Sequence, residues 1–227
     1  MAGKQTMSDA DRARISDAVH AAEGGTAGEI VTIIGDSSDQ YGDIALWWSA
    51  IVGVLALASL AAFPGFYTNL VAQFSGGWAS EMTIAEAFEL AFAVFVLKFV
   101  AMRLLLIWMP LRLWLTPKKI KAHRVHQRAL GYFKVGAESR TTGRTGILIY
   151  LSTAERMAEI VADQAIHGKV PPETWGEAMA KLVGEVREGR VADGMVAAIS
   201  DVGAILSAHF PRAADDMNEL PDRVIEL

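Results

Sequence analysis

The chain has 227 residues, of which 52% are hydrophobic, with a mean hydropathy of +0.27 and a net charge of −5. The absence of cysteine excludes disulfides, thiolate catalysis and cysteine-based metal sites. The acidic balance argues against a nucleic-acid partner, and the N-terminus lacks the apolar region of a cleavable signal peptide.

The first part of the chain, residues 1–43, predicts one helix and one strand. Ser8 and Asp11 have the spacing of a capping box before an amphipathic helix, and Gly24 with Gly25 predicts its end. The stretch EIVTIIG is typical of a β-strand and runs into the polar DSSDQYGD. A single strand is not stable alone, so we expect its partner strands elsewhere in the chain.

Residues 44–116 predict a transmembrane hairpin. The first span covers about 44–63, which is twenty residues without a charge and long enough to cross a hydrocarbon core of roughly 30 Å. A longer apolar region follows from Ile84 to Leu115, and we place the second span at about 87–109 because a straight helix over the whole region would overshoot. Lys98 and Arg103 fall within this span. Charges at that depth mark a functional site by default, unless their long side chains extend to the headgroups.

The distribution of basic residues predicts the orientation of the hairpin. The connection Pro64–Ala85 has no lysine or arginine, whereas a basic cluster follows the second span. By the positive-inside rule we expect an integral inner (plasma) membrane protein with two spans and both termini in the cytoplasm. We also expect the cluster to face anionic lipid headgroups; it comprises Lys118, Lys119, Lys121, Arg124 and Arg128.

Residues 117–211 supply the missing partners of the first strand. A basic helix begins at Lys118, GILIYLS is an apolar strand, and RMAEIVAD returns from it as a hairpin. Two amphipathic helices follow, and residues 212–227 form an acidic C-terminal tail. Since both soluble parts are expected on one side of the membrane, we predict a single α/β domain with a small mixed sheet, interrupted by the hairpin.

These segments resemble the TPM-domain family. The likeness rests on ARISDAVHAAEGGTAGEIVTIIG and GILIYLSTAERMAEIVAD, and the stretches HGKVPPETW and HFPRAADDMNELPD are most similar to its bacterial membrane-anchored branch. The resemblance implies a TPM-like α/β/α sandwich. Some members of the family resemble acid phosphatases or bind divalent cations, and others are accessory or repair factors for membrane complexes.

The carboxyl ends of the two main strands carry the candidate metal site. Asp36 and Asp39 follow the first strand and Glu155 follows the second, so their oxygens would meet at one edge if the strands are parallel neighbours. Such oxygens suit Ca²⁺ or Mg²⁺. The alternative is that DSSD is a polar loop. No Walker loop, G-x-S-x-G or H-E-x-x-H motif occurs, so the sequence has no strong catalytic signature.

Two functions remain open. The favoured one is an interaction or accessory module at the cytoplasmic membrane face, bound to lipids and to a membrane-protein partner through its domain or through Trp48, Gly53, Lys98 or Arg103. The alternative is a divalent-metal-dependent phosphatase. Arg144-Thr145-Gly146 stands where many family members have Asn-Asn-Gly, and that departure favours the module. The sequence does not specify the oligomeric state.

Overall fold

The computed structural model of the protein describes residues 7–74, 83–136, 145–212 and 223–227. Arg144 and the NELPD stretch at 218–222 therefore lie outside the described residues. The helices are α1 (Asp9–Glu23), α2 (Gly42–Ala62), α3 (Pro64–Phe74), α4 (Ile84–Leu105), α5 (Met109–Leu115), α6 (Lys118–Gly136), α7 (Gln164–His167), α8 (Gly176–Arg187) and α9 (Val191–His209), with a 3-10 turn at Pro172–Trp175. The strands are β1 (Glu29–Gly35), β2 (Gly146–Ser152), β3 (Met157–Ala162) and β4 (Ile225–Glu226).

The described residues divide into two compact units. Residues up to Asp39 and from Lys118 onward form an α/β unit, and Gln40–Pro117 form a helical unit. The α/β unit is thus discontinuous in sequence, and the helical unit is inserted after β1.

The four strands form one mixed sheet in the order β3-β2-β1-β4. β1 runs parallel to β2 over its whole length, from Glu29 opposite Gly146 to Gly35 opposite Ser152. β3 returns antiparallel to β2. The partner that β1 needs is therefore β2, which begins more than a hundred residues later in the sequence.

The end of the chain contributes a strand that the sequence analysis did not predict. Ile225 and Glu226 of β4 pair in parallel with Ile33 and Ile34 of β1, and the Glu226 carboxylate accepts a 2.5 Å hydrogen bond from Arg12 of α1. Two residues are too few for an alternating pattern to be read from sequence, so this part of the acidic tail was not identified as a strand.

Helices cover both faces of the sheet. On one face α1, α8 and α9 pack over β1 residues Ile30 and Ile34. On the other face α6 packs over Val31 and Ile33, which alternate with them along the strand. The prediction of a TPM-like α/β/α sandwich with a small mixed sheet is confirmed.

The helical unit is built on the antiparallel pair α2 and α4. Small residues of α2 let the helices approach: Ser49 is fully buried, and a Cβ at Gly53 would lie 2.6 Å from the Phe95 ring of α4. With 21 and 22 residues the two helices are about 31 and 33 Å long. Their large apolar side chains point outward and are exposed, including Trp47, Leu55 and Phe92.

The second apolar region, in which the span is predicted at about 87–109, is bent within that range. α4 ends at Leu105, and α5 continues at 107° to it. Pro110 has no N–H for the carbonyl oxygen of Leu106 and its ring would clash there, so the helix is interrupted. The guanidinium of Arg112 donates to the Leu106 oxygen instead, at 2.7 Å from Nε. This arginine therefore satisfies the carbonyl that the proline leaves without a donor.

Two described helices, α2 and α9, are long and apolar enough to cross a membrane, and α4 with α5 qualifies as a bent pair. α9 has a different explanation within this fold. Its residues Met195, Ile199 and Val202 are fully buried in the core against the sheet. The apolar character of α9 is accounted for by packing inside the α/β unit.

Candidate functional site

The carboxyl ends of β1 and β2 lie side by side. Because β1 and β2 are parallel and in register, the loop after Gly35 and the turn after Ser152 start at the same edge of the sheet. Backbone hydrogen bonds join them: the Thr153 N–H donates to the Gly35 oxygen and the Ala154 N–H to the Asp36 oxygen, both at 3.0 Å. The ends of the two parallel strands therefore lie at one edge of the sheet, joined through their backbone.

Glu155 is the centre of the hydrogen bonding at this edge. Its side chain is buried, and Oε1 accepts from the backbone N–H of Ser38 at 2.9 Å. The hydroxyl of Ser37 approaches the same oxygen at 3.4 Å, and Oε2 accepts from the hydroxyl of Ser152. A buried carboxylate needs such donors, since its desolvation is costly. Glu155 thus fastens the loop after β1 to the turn after β2.

Tyr150 lies beneath this loop at zero exposure. Its hydroxyl is 3.1 Å from the hydroxyl of Ser38, which is itself buried. Burial raises the pKa of the Tyr150 phenol above its ordinary value, and the hydrogen bond with Ser38 partly opposes the shift. The phenol is therefore held neutral as a structural group.

Two arginines of α6 hold the same loop from the other side. Arg124 forms an ion pair with Asp39, and Nε of Arg128 donates to the Ser38 oxygen at 2.8 Å. The Arg128 guanidinium also lies 5.7 Å from the centroid of the Tyr132 ring. The loop is thereby attached to both α6 and the β2–β3 turn.

The comparisons with known proteins agree with this architecture. Residues 116–205 match the family model of the TPM domain. This chain contains a TPM domain. The matched residues run from the end of the helical unit into α9, and the structure adds α1 and β1 to the same sheet and core.

A solved structure has the same fold. It is the NMR structure of the BA42 protein from the psychrophilic bacterium Bizionia argentinensis, with 17% sequence identity and a TM-score of 0.56 over 99% of this chain and 98% of that chain. At this identity the likeness concerns the fold alone. No curated protein sequence matches the chain.

The predicted cation ligands are placed in three different environments. The Asp36 side chain is exposed, Asp39 pairs with Arg124, and the Glu155 oxygens accept the hydrogen bonds of Ser38 and Ser152. Within the described ranges, no three His, Cys, Asp or Glu side chains are grouped to hold a metal ion. In this arrangement Asp36, Asp39 and Glu155 are not brought together as one group of ligands, and binding of Ca²⁺ or Mg²⁺ stays a prediction.

The basic residues after the second apolar region divide into two sets. Lys118 and Lys119 are exposed and Lys121 is half-buried at the start of α6, whereas Arg124 and Arg128 hold the loop after β1. Contact of these residues with lipid stays a prediction, and the two arginines have a structural task within the TPM domain as well.

The two charges that fall within the predicted second span, Lys98 and Arg103, are both on α4. Lys98 is exposed about two turns before the end of the helix, and Arg103 is exposed in its last turn, where a cation suits the helix dipole. Of the other residues proposed for a membrane partner, Trp48 donates its indole N–H to the Leu115 oxygen at 3.4 Å and Gly53 contacts Phe95. Those two have roles inside the helical unit.

The sequence analysis missed Tyr150 and Arg128 as members of this site. A signal was present, because Tyr150 and Ser152 are hydroxyl residues inside a strand that is otherwise fully apolar. Polar atoms in a doubly covered strand need buried partners. Which residues would serve as those partners depended on the tertiary packing.

Proposed function

We propose that the protein is a membrane-anchored TPM domain that acts as an interaction or accessory module at the cytoplasmic face of the inner membrane. The observation that carries the anchoring is the surface of the helical unit. α2 and α4 match the thickness of a hydrocarbon core and turn large apolar side chains outward, such as Leu55 at 61% and Phe92 at 70% exposure. Water would solvate such a surface poorly, and lipid would cover it.

The charge distribution supports a cytoplasmic TPM domain. No lysine or arginine occurs in Pro64–Ala85, between the two apolar regions, whereas Lys118, Lys119 and Lys121 follow them directly. Cytoplasmic segments near span ends carry such an excess of positive charge.

Single-cysteine labelling tests the topology cleanly, because the chain has no cysteine of its own. Asn69→Cys changes an exposed residue of α3, and Ser200→Cys changes an exposed residue of α9. In intact cells a membrane-impermeant maleimide should label the first variant and not the second, and permeabilisation should expose both. Labelling of Ser200→Cys in intact cells would place the TPM domain outside and reject the proposal.

The buried polar groups of the strand-end site, Glu155, Ser38 and Tyr150, are hydrogen-bonded to one another or to the backbone, which gives them a structural role in the domain. If the domain is an interaction module, crosslinking in native membranes should yield a defined complex with a membrane-protein partner. Lys98→Ala and Arg103→Ala should lower the yield if the hairpin takes part, with Asn69→Ala as a control. If no partner is crosslinked in a stoichiometric amount, the proposed interaction module is rejected.

The divalent-metal-dependent phosphatase stays a second prediction. Its acidic site would use Asp36, Asp39 and Glu155. Purified protein is assayed with and without Mg²⁺ or Ca²⁺, beside Asp36→Ala. Activity that requires the metal and is lost in the variant would establish it, and activity unchanged in the variant would exclude this site.

A further inference from the structure

The outer edge of β3 carries backbone groups that no described strand covers. β3 is the last strand of the sheet and pairs with β2 alone within the described part of the chain. The opposite edge differs, because β4 pairs with β1 there. An exposed edge is a template for an additional strand.

The register identifies which backbone groups point outward. The Asp163 N–H donates to the Gly146 oxygen at 2.9 Å, so these opposite residues form a hydrogen-bonded pair. Hydrogen-bonded and non-hydrogen-bonded pairs alternate along antiparallel strands. Ala158 and Ile160, opposite Leu151 and Ile149, therefore belong to pairs that direct their N–H and C=O groups away from β2.

A groove follows this edge between the two helix layers. A cavity of about 400 Å³ has Met157–Glu159 as its floor, Lys118 and Lys121 of α6 on one side, and Val183 and Arg187 of α8 on the other. Side chains of both helix layers therefore line the groove beside the exposed strand.

The side chains around the groove are predominantly cationic. Four lysine or arginine side chains line it against two carboxylates, and the latter have partners inside the domain. Glu155 binds the backbone of Ser38, and Glu159 binds His126 at 2.8 Å. The cationic lining comprises Lys118, Lys121, Arg156 and Arg187. An occupant with several carboxylates complements this charge.

We propose that the outer edge of β3 binds an extended acidic segment of a partner protein as an added strand. This inference rests on the proposed function of the TPM domain as an interaction module and names the surface and the chemistry of its partner. Backbone hydrogen bonds to Ala158 and Ile160 supply the pairing, and the cations of α6 and α8 select acidic side chains on the two faces of the segment.

The test uses the full chain in detergent micelles and a fluorescein-labelled, end-capped eight-residue peptide with the repeat Glu-Glu-Val-Val, which places glutamates on both faces of an extended strand. Fluorescence anisotropy at low salt should show saturable binding that weakens as salt rises. A lysine–valine peptide of the same length should not bind. Neither should the glutamate–valine peptide with N-methylated backbone amides, since it cannot form the ladder.

Variants of the protein separate the two contributions. Ala158→Pro removes one outward N–H without touching the hydrogen bonds to β2, and Arg187→Glu reverses one charge; each should weaken the peptide about tenfold. Lys134→Glu, at the far end of α6, is the matched control and should bind as the wild type does. Circular dichroism checks that each variant is folded, and the N-methylated peptide tests the ladder independently of any variant.

Equal binding of the normal and N-methylated peptides would overturn the proposal. So would an absence of peptide binding together with Arg187-dependent binding to phosphatidylglycerol vesicles, which would assign the cations to lipid. The membrane crosslinking experiment distinguishes a failure of the β3-edge proposal from a failure of the proposed interaction module. A partner captured equally by wild type, Ala158→Pro and Arg187→Glu would leave the module standing and reject the β3 edge, whereas no captured partner would reject the module itself.

Discussion

α2 and α9 are similar in length and apolarity, but they differ in how much of each helix is buried inside the protein. Both qualify by composition as membrane spans, yet 22% of the apolar window of α2 is buried in the protein, against 44% for α9. In α2 the buried positions apart from Ile44 are small residues, and most of the large ones point outward. In α9 the large residues Met195, Ile199 and Leu206 point into the core. Apolar composition alone therefore does not separate a span from a core helix.

The polar residues of the two helices account for the difference. α9 keeps a polar side, where Asp193 pairs with Arg14 at 2.5 Å and Asp201 pairs with Lys181 at 2.7 Å. From Ile44 to Phe63 the first apolar region has no charged residue on any side. A helix that rests on a soluble core needs one solvated face, and a helix surrounded by lipid does not.

The largest expected effect on stability comes from a charge introduced on the buried side of α9. Ile199 has zero exposure, so Ile199→Asp would bury an unpaired carboxylate. We expect a loss of about 4–5 kcal/mol or more in the free energy of unfolding, which is comparable to the whole stability of a domain. Limited proteolysis of the full chain in detergent would show the TPM domain cleaved. A resistant domain would contradict the burial of α9, and Ser200→Asp on its exposed side is the control.

The same charge in α2 should act on membrane insertion. Leu55 is exposed on the helical unit. Near the centre of the span, Leu55→Asp should make the free energy of membrane insertion less favourable by about 3 kcal/mol. The fraction of protein resistant to alkaline extraction measures this effect. Leu55→Ala should insert normally. Unchanged extraction of the aspartate variant would mean that lipid does not surround this side of α2.

A smaller effect is expected where α9 meets α1. A Cβ at Gly203 would lie 2.6 Å from the Cβ and 3.2 Å from the Cα of Ala22, so the helix backbones would have to separate. We expect Gly203→Ala to cost about 1–3 kcal/mol of unfolding free energy. Chemical denaturation of the detergent-solubilised chain measures it.

Gly184→Ala is the matched control on α8. No atom lies within 4 Å of its added Cβ, and alanine is the better helix former by about 0.5–1 kcal/mol. This variant should be slightly more stable than wild type. If both glycine variants were equally stable, α1 and α9 would not be in such close contact at Gly203.

The smallest effect concerns the pH dependence of the sheet core. Because burial raises the pKa of Tyr150 in the folded protein, its contribution to stability is complete below about pH 10, the ordinary pKa of the phenol. It falls as the pH rises from there towards the folded pKa, since the unfolded chain loses the proton first.

Tyr150→Phe tests this sign. The variant lacks the titrating phenol and the hydrogen bond to Ser38, so its Tm should be a few degrees lower than wild type at pH 7. The difference should shrink above pH 10, where wild type alone loses the contribution of the phenol. A difference in Tm between wild type and Tyr150→Phe that stays constant from pH 7 to 11 would show that Tyr150 does not titrate in this way.

The local signals in the sequence were sufficient for most helices and strands. Ser8 caps α1 as its spacing predicted, accepting from the Asp11 N–H at 3.1 Å, and EIVTIIG and GILIYLS are β1 and β2 residue for residue. α4 ends at Leu105, within the span predicted at about 87–109. The Arg112 guanidinium donates to the Leu106 oxygen there, a contact that no periodicity encodes.

The sequence by itself determined the bounds of β1 and β2, the N-terminal cap of α1, and that β1 needed a distant partner. These properties follow from residue type and spacing within one segment. Only the tertiary structure decided that Arg124 and Arg128 hold the loop after β1, that Glu155 is fastened to Ser38, and that the chain end adds β4. Each of those contacts joins residues about 85 to almost 200 positions apart, and a charge or hydroxyl in a sequence does not specify which distant group it will meet.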